Sequence, residues 1–340
     1  MPSMRAAQIS APGSGFEIVT KTVPEPGENS VRIKVQACGI CHGDSVVKEG
    51  HYPGLTYPRV PGHEVVGTID KLGPGVSGWR LGQRVGVGWY GGPCLQCDAC
   101  KAGDYWNCRR PLTTGISFDG GYAEYMVVAK QAVAAIPDEL KSLEAAPLLC
   151  AGRTTFTALR NSGAKGGELV AIQGIGGLGH LGVQFSRKLG FRTVAISRGN
   201  DKKDLSRKLG ADIYIDAKSS NAAAELQKLG GARVILATAP DSKAIAELVS
   251  GLGFEGQMII VAAPPDPIPV FAGQLFGGRR SIRGWVASRA NNPAEDALTF
   301  AVLSGALPMI EVFPLEKVTE AYEKMISARV HFRSVLKIGD

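Results

Sequence analysis

The stretch from Cys38 to Glu64, CGICHGDSVVKEGHYPGLTYPRVPGHE, collects the residue types on which metal-assisted chemistry depends. Cys41 and His63 stand 22 residues apart, Glu64 follows the histidine directly, and Asp44 lies three residues beyond Cys41. Zinc prefers thiolate and imidazole, and a catalytic zinc takes three protein ligands while keeping one position open. Two ligands here call for a third elsewhere. Alone, the stretch also fits a small buried Cys41 and a hydrogen-bonded core His63, because free cysteine is commonly buried without function.

A second cysteine group settles part of the question. Cys94, Cys97, Cys100 and Cys108 form C-x2-C-x2-C-x7-C, with Gly91-Gly92-Pro93 just before them. That spacing suits a closed, all-thiolate zinc site, whose role is structural because no position stays open. Metal affinity there becomes folding free energy for an otherwise irregular loop. An iron–sulfur cluster is the rival reading; disulfides are disfavoured in a reducing compartment. Of the seven cysteines, Cys38 and Cys150 remain. Cys150 opens C-A-G-R-T where the texture of the chain changes, a natural place for the third ligand because ligand clefts form where domains join. Cys38 could pair with Cys41 as C-x2-C, but it ends an apolar strand pattern, VRIKVQAC, and reads as structural.

The elements that must position these residues fall into two textures. Within 1–150, segments such as VRIKVQACGI, EVVGTIDKLG and GYAEYMVVA alternate or run apolar between Gly/Pro breaks, as short strands of a barrel-like β domain do. From about 151, ELVAIQG (168–174), RTVAIS (192–197), ADIYID (211–216), RVILAT (233–238) and QMIIVAA (257–263) predict strands separated by helical patterns. That alternation argues an α/β, doubly wound parallel sheet. After Pro264 the rhythm breaks; 292–307 predicts one helix capped by Asn292 before Pro293, and the tail ends in a strand-like RSVLKI.

Gly174-Ile175-Gly176-Gly177-Leu178-Gly179 fits G-x-G-x-x-G between a predicted strand and a predicted helix, the context a dinucleotide site requires. The glycines permit a tight turn and close approach of a pyrophosphate, and the helix N-terminus favours the anion. About 20 residues further on, an acid ordinarily holds the ribose in NAD enzymes. Ser197 occupies that position here, followed by Arg198 and then Lys202, which suits a 2′-phosphate and favours NADP(H) over NAD(H). The alternative leaves the basic residues solvated and gives the ribose to Asp201.

Composition bounds the rest. The 340 residues are enough for about two domains, with 44% hydrophobic and 20% charged residues, an ordinary globular balance. No apolar run of about 18 residues is present and the N-terminus has no secretory pattern, so a cytoplasmic location is expected. A net charge of +7, spread without dense Lys/Arg runs interleaved with aromatics, argues against nucleic acid and is compatible with an anionic cofactor.

Taken in this order, CGICHGD, PGHEVVG, the cysteine lobe, DGGYAEY, CAGRTT and GIGGLG give a chain that resembles the zinc-dependent alcohol dehydrogenases of the medium-chain dehydrogenase/reductase superfamily over essentially its whole length. The resemblance implies a GroES-like catalytic domain (1–150, with the lobe at 94–108, plus a return over 288–340) and a Rossmann domain over 151–287. It implies that Cys41, His63 and Cys150 hold a catalytic zinc, with Glu64 beside it as a transient ligand and Asp44 bonded to His63. It also implies that His42 and Arg333 contact the pyrophosphate and that Thr154 packs near the nicotinamide. Tyr52, Trp89, Tyr90 and Trp285 fall at or near positions that line the substrate pocket in relatives. Two zincs per chain and the tetrameric microbial assembly follow from the same resemblance. The implied reaction is reversible hydride transfer between an alcohol and NAD(P), with zinc acidifying the alcohol. One departure stands out: relatives carry Ser or Thr where this chain has Gly43, and some carry a relay histidine where it has Val46. Water beside Gly43 is the expected proton carrier. The same gap leaves room for an NADPH-dependent reductase of an activated C=C or iminium bond, and for a non-catalytic NADP(H)-binding protein.

Overall fold

A computed structural model describes residues 1–287 and 293–339. The chain divides into two compact units, Met1–Arg153 with Arg289–Asp340, and Thr154–Ser288.

In the first unit a seven-stranded sheet runs in the order Ile310–Pro314, Arg333–Lys337, Ser30–Ile40, Val65–Leu72, Arg84–Val87 and Val133–Ala135, and Tyr125–Ala129 also pairs with Ser30–Ile40. The long strand Ser30–Ile40 organises it. Val31, Ile33 and Val35 alternate inward with exposed or half-buried partners, and the last four residues are all buried. Val31, Ile33 and Val35 pack with Val65, Ile69, Val85 and Met126 in one core cluster. Each such fully buried aliphatic contributes roughly 1.5–3 kcal/mol. Two register irregularities, between Arg32 and Ile33 and between Val35 and Ala37, raise the local twist that a closing sheet needs. The C-terminal strand Arg333–Lys337 lies antiparallel to this one, with Ser334 opposite Ile40. That pairing brings Arg333 from the far end of the sequence to the place where the chain leaves the sheet at Cys41.

The second unit is a six-stranded parallel sheet: β1 (Leu169–Gln173), β2 (Arg192–Ser197), β3 (Ile213–Asp216), β4 (Ala232–Ala237), β5 (Leu252–Ile260) and β6 (Ser281–Gly284), in spatial order 3-2-1-4-5-6. All five residues of β1 are buried, as befits the central strand of a sheet covered on both faces. Order reverses at β1, the switch point where open parallel sheets bind ligands. The sequence pattern starts β5 at 257, whereas the strand begins at Leu252. Its first half, containing Gly253, an exposed Phe254 and Gly256, lacks an apolar run; a Cβ at Gly256 would meet Ala232 O at 2.7 Å, so glycine is what permits the close approach there.

The helix expected over 292–307 spans Pro293–Ser304. It stops because Gly305 takes a left-handed conformation (φ +69°), a common helix terminator; the expected cap Asn292 lies outside the described residues. Among the described residues no helix is long and apolar enough to cross a membrane.

Candidate metal centre and cofactor loop

Where the strand Ser30–Ile40 ends, Cys41 caps a short 3-10 turn, His42–Asp44. Cys41 Sγ accepts from Gly43 N (3.4 Å), and Asp44 Oδ2 accepts from Cys41 N (2.9 Å). His63 and Glu64 immediately precede the strand Val65–Leu72, which pairs Val65 with Cys38, so Glu64 O accepts from Gly39 N at 2.9 Å. The Glu64 carboxylate crosses the face of Gly39, where a Cβ would sit 2.0 Å from Oε2; glycine is required for that approach. Cys150 rides on a wide π-helical turn, Leu148–Gly152, a geometry that recurs at functional sites. Cys41, His63, Glu64 and Cys150, spread over more than 100 residues of sequence, thus place one donor atom each within 4.8 Å of one another, with the two sulfurs 3.9 Å apart.

The surroundings prepare this cluster for a cation. Asp44, 1% exposed, accepts from Cys41 N (2.9 Å), Gly62 N (3.2 Å) and Tyr122 Oη (2.8 Å), and pairs with His63 Nδ1 (3.1 Å). Burial opposes charging of His63, but Asp44 and Cys41 outweigh it and hold its pKa well above the ordinary value. The contact with Cys150 pulls the Cys41 thiol well down while that of Cys150 rises. Burial pushes the Glu64 carboxyl up to about 7, although Arg333 works against it. His63 Nε2 and Glu64 Oε2 are buried without a hydrogen-bond partner. Leaving such atoms bare costs about 1–3 kcal/mol each. A soft dicationic metal satisfies both and suits a Cys2His donor set, so the residues fit zinc.

The other expected site residues are distributed unevenly. Arg333 is buried, and its guanidinium bonds the Glu64 carboxylate. His42 is exposed. Trp89 meets the His63 ring edge-on at a centroid distance of 4.8 Å. A Cβ on Gly43 would come within 2.9 Å of Trp89 Cζ3 and 3.1 Å of His63 Cε1, so the rings fill the space expected for water in that direction. Tyr90, the next residue, turns instead to Trp106 of the cysteine lobe (5.3 Å between centroids). Tyr52 Oη meets Thr113 Oγ1 at 3.5 Å. In the second unit, Trp285 Nε1 donates to Thr157 Oγ1 (3.0 Å), and Thr154 is buried.

Cys94, Cys97, Cys100 and Cys108 also bring their sulfurs within 4.8 Å of one another. Backbone amides point at them: Cys108 Sγ accepts from Cys94 N (3.3 Å) and Arg110 N (3.4 Å), and Cys97 Sγ from Arg109 N (3.5 Å). Such bonds favour thiolates, and the amides of Gln96 and Cys97 pull Cys94 down to about 6. Burial pushes Cys100 up to about 12, so its thiolate calls for the charge of a metal.

In the second unit the three fingerprint glycines have separable reasons. Gly174 has φ +86° and Ala239 Cβ would lie 2.6 Å from its Cβ; Gly176 faces open space; a Cβ on Gly179 would sit 1.7 Å from Gly174 O. The helix α1 (Gly179–Lys188) follows directly. Lys202 Nζ donates to Ile175 O (2.7 Å), so this lysine braces the loop. Arg198 is exposed at the end of β2. Asp216, from β3, stands opposite Ser197 and accepts from Gly199 N (2.6 Å) and Lys218 N (2.8 Å), shaping the turn after β2. Sequence reading missed Asp216, because its neighbour Ser197 comes from another strand. It also missed Tyr122, although the quoted DGGYAEY contains it, since nothing in that motif shows its hydroxyl reaching Asp44.

A six-stranded dinucleotide-type parallel sheet in one unit, and two cysteine-based clusters of metal-type donors in the other, are the features of a zinc-binding dehydrogenase. Residues 27–138 match the alcohol dehydrogenase GroES-like domain and residues 177–302 the zinc-binding dehydrogenase domain. The alcohol dehydrogenase patD of Penicillium expansum is 41% identical over 332 residues, covering 98% of this chain and 97% of its own. An alcohol dehydrogenase of Geobacillus stearothermophilus is 37% identical, with 98% and 100% covered. A solved cinnamyl alcohol dehydrogenase from Sorghum bicolor superposes with a TM-score of 0.89 at 29% identity, over 99% of this chain and 98% of that one. The chain belongs to the zinc-dependent alcohol dehydrogenases of the medium-chain dehydrogenase/reductase superfamily, and it is an oxidoreductase acting on alcohols and their carbonyl products.

Proposed function

We propose that Cys41, His63 and Cys150 bind a catalytic zinc, that Cys94, Cys97, Cys100 and Cys108 bind a structural one, and that the enzyme prefers NADP(H). The observation that carries the catalytic assignment is the convergence of four donor atoms within 4.8 Å around an unpartnered His63 Nε2. When bound, zinc supplies Lewis acidity to the alcohol oxygen and NADP accepts the hydride.

The chain's own residues do the rest. Asp44 accepts a hydrogen bond from His63 Nδ1–H and so presents the Nε2 lone pair. Arg333 holds Glu64 in place as a spare donor. Trp89 closes the side toward Gly43, keeps water from that face of His63, and with Tyr52 favours apolar or aromatic alcohols. Neither Gly43 nor Val46 can accept a proton, so the alcohol proton passes to solvent water by a route clear of Trp89. In the second unit Gly176 offers open backbone to the pyrophosphate, and exposed Arg198 at the end of β2 is the cation placed for a 2′-phosphate. The open edge strand β6, with exposed Phe254, Phe271, Phe276 and Val286 in the same unit, supports assembly into a homotetramer.

Steady-state kinetics with NADP(H) and NAD(H) over primary, secondary and aromatic alcohols, combined with zinc counting and sedimentation, test this reading. Two zincs per chain and a higher kcat/KM with NADP are expected. One zinc per chain, or a preference for NAD, would overturn the corresponding assignment. Turnover of an activated C=C or iminium bond without alcohol oxidation would instead support the reductase reading that Gly43 leaves open.

A further inference from the structure

Arg153, the fourth residue of the CAGRTT motif, has so far had no role. It is 3% exposed, and its guanidinium lies 4.2 Å over the ring of Trp106. Trp106 sits in the 3-10 turn Tyr105–Asn107, between lobe cysteines Cys100 and Cys108. At its other end, Arg153 closes the wide turn Leu148–Gly152: its backbone N–H donates to Leu148 O and Cys150 O. Cys150 lies inside that turn.

We propose that the Arg153–Trp106 stack makes the four-cysteine lobe a positioning element for Cys150, so that the lobe helps to hold the catalytic cluster together. The inference rests on Cys150 being a ligand of the catalytic zinc. Two further contacts tie the same parts together. Trp106 packs on Tyr90 (5.3 Å between centroids), one residue from Trp89, whose ring meets His63. Gly88, on the other side of Trp89, lies so close to the turn that a Cβ there would stand 2.8 Å from Leu149 O and 3.3 Å from Arg153 Nη1. The lobe therefore braces both walls of the cluster, the Cys150 turn through Arg153 and the His63 side through Tyr90 and Trp89. Arginine suits this work because its planar guanidinium stacks on an aromatic face while its buried charge stays within range of the Cys150 and Cys41 sulfurs.

The test removes the ring at the lobe and reads the other metal site. Zinc release from the intact protein into excess 4-(2-pyridylazo)resorcinol is followed for wild type, Trp106→Leu, Trp106→Phe and Arg153→Met. Cys150→Ser identifies which phase belongs to the catalytic site. Trp106→Leu is expected to speed catalytic-site release on the order of tenfold, the effect typical of losing an outer partner of a metal ligand. Trp106→Phe, which keeps a ring, should stay near wild type. A cobalt-substituted Trp106→Leu should show a shifted thiolate-to-cobalt band. Unchanged catalytic-site release in Trp106→Leu overturns the coupling. If both zincs leave faster together, Arg153→Met decides, since it leaves every lobe residue in place: selective loss from the catalytic site supports the coupling, and unchanged release overturns it. A wild type that holds only the lobe zinc would defeat the catalytic assignment itself, which keeps the two failures distinct.

Discussion

Replacing Asp44 with Asn changes one atom and little volume, yet the structure sets a definite cost. The carboxylate takes Cys41 N and Tyr122 Oη on Oδ2, and Gly62 N and His63 Nδ1 on Oδ1. An asparagine can accept on one side only. With its NH2 toward Cys41, the amide N–H of Cys41 loses its partner. With its NH2 toward Gly62, the Gly62 N–H is stranded and His63 Nδ1 must become an acceptor, which protonates the Nε2 that should face zinc. Either arrangement strands at least one buried donor, at about 1–3 kcal/mol, or about 5- to 150-fold if expressed in metal binding. Loss of an outer partner elsewhere costs about 10–100-fold in metal affinity or activity, which agrees. Chelator competition at the catalytic site, with the lobe zinc counted separately, measures the effect. Tyr122→Phe is the companion: it removes one donor and leaves the carboxylate's other three contacts, so a smaller loss is expected. Catalytic zinc affinity of Asp44→Asn within twofold of wild type would refute the argument that this carboxylate sets the histidine.

Three further outcomes follow from the same geometry. Gly43→Thr forces a side chain against Trp89 and His63, so it should destabilise the protein by about 1–3 kcal/mol in thermal or urea unfolding, with Trp89→Leu restoring much of the loss; an undisturbed Gly43→Thr would mean that Trp89 is not fixed there. Arg198→Ala should raise KM for NADP about tenfold or more and leave that for NAD nearly unchanged, the signature of one lost charge-assisted contact; equal effects on both would remove Arg198 from the phosphate. The amide of Lys218, against a smaller burial effect and aided by Ser219 and Gly199, holds the Asp216 carboxyl below its ordinary 3.8. Its stabilising contribution is therefore present above pH 3.8 and lost as pH falls through the lower folded value, so the melting-temperature gap between wild type and Asp216→Asn should close on acidification.

The sequence by itself determined the chemistry available. Four cysteines in fifteen residues, a Cys/His pair followed by an acid, and a glycine fingerprint between a strand and a helix depend on local spacing, and local spacing is what a sequence displays. Five strands of the parallel sheet were equally legible, because their apolar runs report burial directly; the glycine-rich start of β5 escaped, and so did the whole edge strand β6, Ser281–Gly284, whose residues are exposed or half-buried and carry no apolar run. Tertiary structure alone decided which partners meet. It put Arg333 on Glu64, 269 residues away in sequence, Tyr122 on Asp44, Trp89 in the space beside Gly43, and Arg153 on Trp106. Each of these is a contact between side chains whose separation along the chain carries no period, so it exists only once the backbone has folded and excluded water from around them.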